Sequence, residues 1–132
     1  MSQENVEIVR QSIAAFNEGG VEALRVFADP AIEFHEPPEQ PGAQVAQGIE
    51  EVVELWGRFD SAWKSHQTEP KEIRALGEDK VLLVSVEHFV GRDGMEVNAP
   101  FAGVVTFRDG RVIRWQAFWD KARALEAVGL RE

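Results

Sequence analysis

Cysteine is absent from this chain of 132 residues. Disulfides, thiolate metal ligands and thiol nucleophiles are excluded with it. Long apolar runs are missing as well. "VLLVSV" at 81–86 is among the longest, far short of the ~18 residues of a membrane span. Positive charge is scarce: 14 Lys and Arg stand against 23 Asp and Glu, a net charge of −9 with histidine neutral. With no basic stripe to override it, that balance repels nucleic acid and anionic membrane, so neither is expected as a partner. The opening residues "MSQENVEIVRQ" are polar and of mixed charge, unlike a secretory or transit peptide. Without a targeting signal and without cysteine, a cytoplasmic location is the expectation.

The apolar fraction of 44% and the charged fraction of 28% are those of a soluble globular protein. The length suits a single domain, 1–132, with one core and room for a pocket. "SQENVEIVRQSIAAFNEGG" predicts a helix, with Val6, Val9, Ile13 and Phe16 on one stripe and Gly19 and Gly20 ending it. "VEALRVFADP" predicts a short second helix stopped at Pro30. A strand, "AIEFH", then leads into a loop rich in proline and glycine, "EPPEQPGAQVAQG". Ile49, Val52, Val53, Trp56, Phe59 and Trp63 keep helical spacing and predict a third helix from about Ile49 to Ser65. From residue 69 the rhythm becomes that of strands, "EIRAL", "KVLLVSVEHFV", "EVNAPFAGVVTF" and "RVIRWQAFW", separated by hairpin turns "GED", "GRDG" and "RDG". "DKARALEAVG" closes the chain as a short helix, capped by Asp120 and stopped by Gly129. Helices followed by an antiparallel meander indicate the α+β class, with helices laid on one face of a curved sheet.

The segment "AIEFHEPPEQ" at 31–40 poses the main question. Ile32 and Phe34 lie on one side of the strand, Glu33 and His35 on the other. Hydrophobic periodicity alone sends Ile32 and Phe34 inward and leaves the polar pair in water. His66 follows the third helix and is expected only to shield its end. "GRDGM" is a hairpin turn and not a phosphate loop.

The element order and three phrases, "AAFNEGGVEALRVFADPAIEFHEP", "APFAGVVTFRDGRVIRWQAFWD" and "ARALEAVGL", resemble the SnoaL-like branch of the nuclear transport factor two-like superfamily. The resemblance covers nearly the whole chain. It implies a cone: a curved antiparallel or mixed sheet wrapped around three helices, with an apolar cavity at the open end and a short C-terminal helix. Ketosteroid isomerase, limonene epoxide hydrolase, scytalone dehydratase, polyketide cyclases and proteins without enzyme activity share this fold, so it implies no single function. Aligned without gaps from "FAD", the general base of ketosteroid isomerase matches His35, with Glu33 one pleat earlier. Limonene epoxide hydrolase has two polar cavity residues matching the same pair. Aligned on the following proline, the register selects Glu36 and Phe34 instead.

Tyrosine is also absent, and Ser12 matches the tyrosine that serves ketosteroid isomerase as an oxyanion donor. The matching aspartate position falls on Ala102 or Gly103. Loss of both donors argues against that activity. The last-strand aspartate of limonene epoxide hydrolase matches Ala117, and neither Val84 with Val86 nor Val86 with His88 supplies its arginine and second carboxylate. The resemblance implies a cavity wall of Val84, Val86 and His88, then Ala99, Phe101, Gly103 and Val105, then Ile113, Trp115, Ala117 and Trp119. Trp56, Phe59 and Trp63 close it from the third helix. The expected ligand set is thus Trp56, Phe59, Trp63, Val86, His88, Phe101, Trp115 and Trp119, suited to a flat hydrophobic molecule such as a polyketide or terpenoid fragment. Acid–base chemistry is expected from His35 with Glu33 or Glu36, with no cofactor. Glu33, His35 and His88 lack a local metal signature, and no metal is expected. The outer face, with Phe89, Val104, Thr106, Arg114, Gln116 and Phe118, is the expected surface of a homodimer.

Overall fold

The computed structural model describes residues 2–130. Helix α1 spans Ser2–Gly19, followed by a 3-10 helix over Val21–Val26. Strand β1 runs Ala28–His35, a short β2 covers Val45–Gln47, and α2 spans Ile49–Asp60. Strands β3 (Ser65–Leu76), β4 (Lys80–Val90), β5 (Glu96–Arg108) and β6 (Arg111–Phe118) form the meander, and α3 covers Lys121–Ala127. The six strands make one mixed sheet in the order β2-β1-β6-β5-β4-β3, with β1 and β6 parallel and every other pair antiparallel. This is the expected α+β cone.

Three boundaries differ from expectation. The second helix closes at Phe27 and β1 starts at Ala28, ahead of Pro30. Proline is tolerated inside β1 because residues 29–32 fall in the register break between the pairs Ala28↔Val112 and Glu33↔Arg114, where no ladder donor is needed. Helix α2 ends at Asp60 instead of Ser65, and β3 starts at Ser65, four residues before the sequence turns strand-like. Pro70 sits within β3 at a register shift between Pro70 and Glu72. Strand β3 is the sheet edge, where the missing N–H of proline goes unpunished.

The core lies between the inner face of the sheet and helices α1 and α2. Val9 of α1, Val52 of α2, Ile32 and Phe34 of β1, Leu83 of β4 and Val105 of β5 share one cluster of buried side chains. A second cluster lies on the outer face, where Ala124 and Leu125 of α3 cover Leu82, Val104 and Phe118. Asp120 caps α3 through its side chain, which accepts a hydrogen bond from the Arg123 N–H at 2.9 Å. A helix of seven residues has little stability of its own, so its one large buried residue should decide whether it stays docked. Leu125→Ala is expected to cost about 2–5 kcal/mol; a urea midpoint unchanged from wild type would contradict this.

Candidate functional site

The inner face of the sheet and the two helices enclose a cavity of about 380 Å³. Pleat parity decides what reaches it. On β1 the apolar side wins: Ile32 and Phe34 are buried, and Phe34 lines the cavity. Burying two such side chains stabilises the fold by about 1.5–3 kcal/mol each, whereas turning Glu33 and His35 inward would desolvate both polar groups. Glu33 and His35 therefore lie on the opposite face and do not line the cavity, contrary to expectation. They meet there, His35 Nε2 to Glu33 Oε1 at 3.0 Å, with the Arg114 guanidinium 3.7 Å from the same carboxylate. Past the strand end, Glu36 and Pro37 do reach the cavity, as the register anchored on the proline implies.

Strand β4 has the parity opposite to the expected one. Leu83, Ser85, Glu87 and Phe89 line the cavity, so Val84, Val86 and His88 lie on the outer side. His88 bonds Asn98 and Glu69 there, at 2.6 and 2.8 Å. Phe89, expected outside, faces in. Of the remaining expected wall, Trp56, Phe59, Phe101, Gly103, Trp115 and Ala117 are in place. Trp63 packs on Phe89, ring centroids 4.7 Å apart, without lining the cavity. Trp119 lies under the Arg123 guanidinium at 5.7 Å, beside α3. The indole of Trp115 lies over Gly103, where an added Cβ would stand 2.8 Å from its Nε1.

A group that sequence reasoning passed over occupies the cavity. Because β3 starts at Ser65, His66 and Thr68 fall on inward positions, both lining the cavity with Asp60 from the end of α2. The His66 imidazole bridges two carboxylates: Nδ1 to Asp60 Oδ1 at 2.9 Å and Nε2 to Glu87 Oε1 at 2.6 Å. Glu87, only 8% exposed, also accepts hydrogen bonds from Thr68 Oγ1 at 2.7 Å and Ser85 Oγ at 2.5 Å. The ring stacks on Phe89 at 4.3 Å and meets the edge of Phe16 at 5.0 Å. Burial, the largest single influence, pulls the His66 pKa down. The hydrogen bonds and charges of Asp60 and Glu87 together outweigh it and push the value up to about 9. At neutral pH the ring is an imidazolium donating through both nitrogens. Asp60 also needs this partner, because it ends a helix whose C-terminal carbonyls repel an anion. The only sequence signal was a run, "SHQTE", with histidine and threonine two apart on the same pleat face.

Two polar atoms here have no partner among the described residues. The second carboxylate oxygen of Asp60, Oδ2, makes no hydrogen bond, and the buried Nε1 of Trp56 donates to nothing. The indole N–H is out of reach of solvent, so the open oxygen of Asp60 is the atom of this cluster available to a guest. Ser12, Ala102, Gly103 and Ala117, at the positions matched to catalytic groups of relatives, all line the cavity, and Ser12 donates to the Val9 carbonyl at 2.8 Å. No group of three or more His, Asp or Glu placed to hold a metal ion occurs among the described residues.

A small α+β cone with a half-open apolar hollow defines the class. The chain belongs to the SnoaL-like domain family, whose model matches residues 9–115. Similar solved structures include an NTF2-like protein of unknown function from Burkholderia pseudomallei K96243. It is 17% identical with a TM-score of 0.76, and 97% of each chain is covered. TerC co-crystallized with polyporic acid is 21% identical with a TM-score of 0.78, covering 89% of this chain and 92% of that one. A protein of ketosteroid isomerase-like fold from Catenulispora acidiphila DSM 44928, in complex with trimethylamine, is 18% identical with a TM-score of 0.74, covering 94% and 93%. At these identities the likeness establishes the fold. No curated protein compared with the chain matches it.

His66 makes stability depend on pH in a fixed direction. Its folded pKa of about 9 exceeds the ordinary 6.5, so its contribution is complete below pH 6.5 and fades as pH rises toward 9. The expected loss over that window is about 1–3 kcal/mol, allowing for solvent at the ring's exposed edge. His66→Gln should flatten the dependence, leaving only the smaller influence of His88, whose pKa Glu69 and then Asn98 also raise. Urea midpoints of both proteins at pH 6.5 and 9 check this; equal slopes would contradict it.

Proposed function

We propose that the protein binds a small, largely apolar molecule in the cavity between the sheet and α1 and α2. The observation that carries this reading is a half-open hollow of about 380 Å³, large enough for a compact ring system. It is walled by Phe34, Trp56, Phe101 and Trp115 and ends at an ionised cluster of Asp60, His66 and Glu87. Charged groups in apolar surroundings cost free energy even when paired, and such groups concentrate at binding and catalytic sites. A protein of the same fold co-crystallized with a small organic molecule supports a cavity of this kind as a binding site.

Titration with 2-naphthol, followed through tryptophan emission, should show saturable quenching. Ala117→Phe fills the hollow and should abolish it, with the fold checked by circular dichroism; Trp56→Leu should weaken it if the larger ring disturbs folding. Saturation that survives both substitutions would place the dye elsewhere and refute the reading.

A second reading adds chemistry. Both His66 nitrogens are occupied, and the ring is protonated at neutral pH, so it cannot serve as the base. Asp60 keeps a free oxygen and is the group able to accept a proton from carbon, with His66 fixing its orientation. Acid–base chemistry without a cofactor then rests on Asp60 instead of His35 and Glu33, which lie outside the cavity. Hydrogen–deuterium exchange of 2-tetralone in D2O, followed by NMR, is expected to run about tenfold or more above buffer, and to fall to the buffer rate in Asp60→Asn. Exchange at the buffer rate in wild type would leave a binding protein without catalysis. A homodimer is proposed for the outer face that α3 leaves open, around Val86, Arg114 and Gln116, in place of the wider surface expected from Phe89, Val104 and Phe118. Light scattering reads it directly.

A further inference from the structure

The ionisable groups of the cavity are nearly all of one sign. Glu36, Asp60 and Glu87 line it with a single imidazole, and neither lysine nor arginine is among the lining residues. With His66 protonated, three carboxylates against one cation leave the hollow net negative. Each of these acids is engaged through at least one oxygen, Asp60 by His66. Glu87 receives His66, Thr68 and Ser85, and Glu36 accepts the Gln44 backbone N–H at 2.9 Å. Glu87 has both oxygens bonded, whereas Asp60 and Glu36 each keep one open among the described residues, and Asp60 is the one that belongs to the His66 cluster.

The aromatic wall has the same preference. Phe34 meets Trp56 at 5.0 Å and 81°, and Trp56 meets Trp115 at 5.9 Å and 84°. Neighbouring rings at right angles enclose space with faces as well as edges, and ring faces carry the negative lobe of the quadrupole. Phe59, next to Asp60 in sequence, is 51% exposed and lines the same cavity. A cation entering past it meets a π face and then a carboxylate. An anion would meet repulsion from the ring faces and the carboxylates, and a neutral molecule would gain only burial.

We infer that the cavity selects an organic monocation: a protonated amine on a flat apolar body, its ammonium N–H donating to Asp60 Oδ2 and its body lying against the Trp56 and Trp115 wall. The inference rests on the binding reading above and narrows its ligand class. The free carboxylate oxygen is then a counter-ion, and the net charge of −9 adds attraction at a distance, screened beyond about 10 Å at 0.1 M salt.

Three probes of one shape and different charge test it: 2-naphthylmethylamine, 2-naphthalenemethanol and 2-naphthoic acid, titrated calorimetrically at pH 7 and low salt. The amine is expected to bind about tenfold or more tighter than the alcohol, with the acid weakest. Asp60→Asn should bring the amine-to-alcohol ratio to within about threefold, the size of the remaining cation–π preference. Phe59→Leu, which keeps an apolar side chain at a half-exposed site, should lower that ratio independently and guards against a folding defect in the first variant. Equal binding of the three probes would overturn the cation inference and leave cavity binding intact. An amine preference that survives both substitutions would also overturn it, since the charge would then be read elsewhere. Binding by none of the three would overturn both readings.

Discussion

A carboxylate with 8% of its surface exposed, set among phenylalanines, is stable only if its lone pairs are spoken for. Glu87 meets that demand with an imidazolium and two hydroxyls. The arrangement dictates much around it. His66 and Thr68 must point inward, so β3 must be in register from Ser65. Helix α2 must stop at Asp60, where its last carboxylate can take the other imidazole nitrogen. The side chain of Asn17 clamps α1 to the same strand, accepting from the Thr68 N–H at 2.8 Å and donating to its carbonyl at 2.9 Å. One buried charge thus fixes the relative placement of α1, α2, β3 and β4, and the cavity is what these elements leave between them.

The surplus of acid over base reaches from the whole surface into this hollow. The single cation of the pocket, His66, is held between two carboxylates and has little to offer an anionic guest, and the aromatic walls give a neutral one no orientation. The open carboxylate oxygens of Asp60 and Glu36 are where direction can come from. Specificity in such a site resides in very few contacts, while affinity comes from apolar area.

The fold was legible because its signals are local. Helical stripes in α1, the hairpin glycines, and the capping Asp120 each act over a few residues, and the meander "KVLLVSVEHFV" to "RVIRWQAFW" fell within a residue of its observed bounds. The site was legible only where apolar periodicity and inward parity coincide, as at Trp56, Phe101 and Trp115. It failed on β4, where Val84 and Val86 look like core and Ser85 and Glu87 like surface. Their actual placement is reversed because polar partners from β3 satisfy the polar side, and α3 helps cover the apolar one. Pairing across strands leaves no trace in a single stretch of sequence. The same blindness hid His66, since "SHQTE" has no apolar residue to betray a strand. On β1 periodicity was the better guide than positional matching to distant enzymes, because desolvating Glu33 and His35 would have required partners that the inner face does not offer.

Helix α3 covers only part of the outer sheet, over Leu82, Val104 and Phe118. There the wall of the hollow is two layers deep, sheet and helix, whereas β3 is the sheet edge and carries Pro70 at a register shift. The sheet is therefore braced by a helix on one flank of its outer side and not on the other. The rim where Phe59 meets His66, near the start of β3, lies on that unbraced side, so the entrance of the hollow and its charged cluster are built from the same few residues.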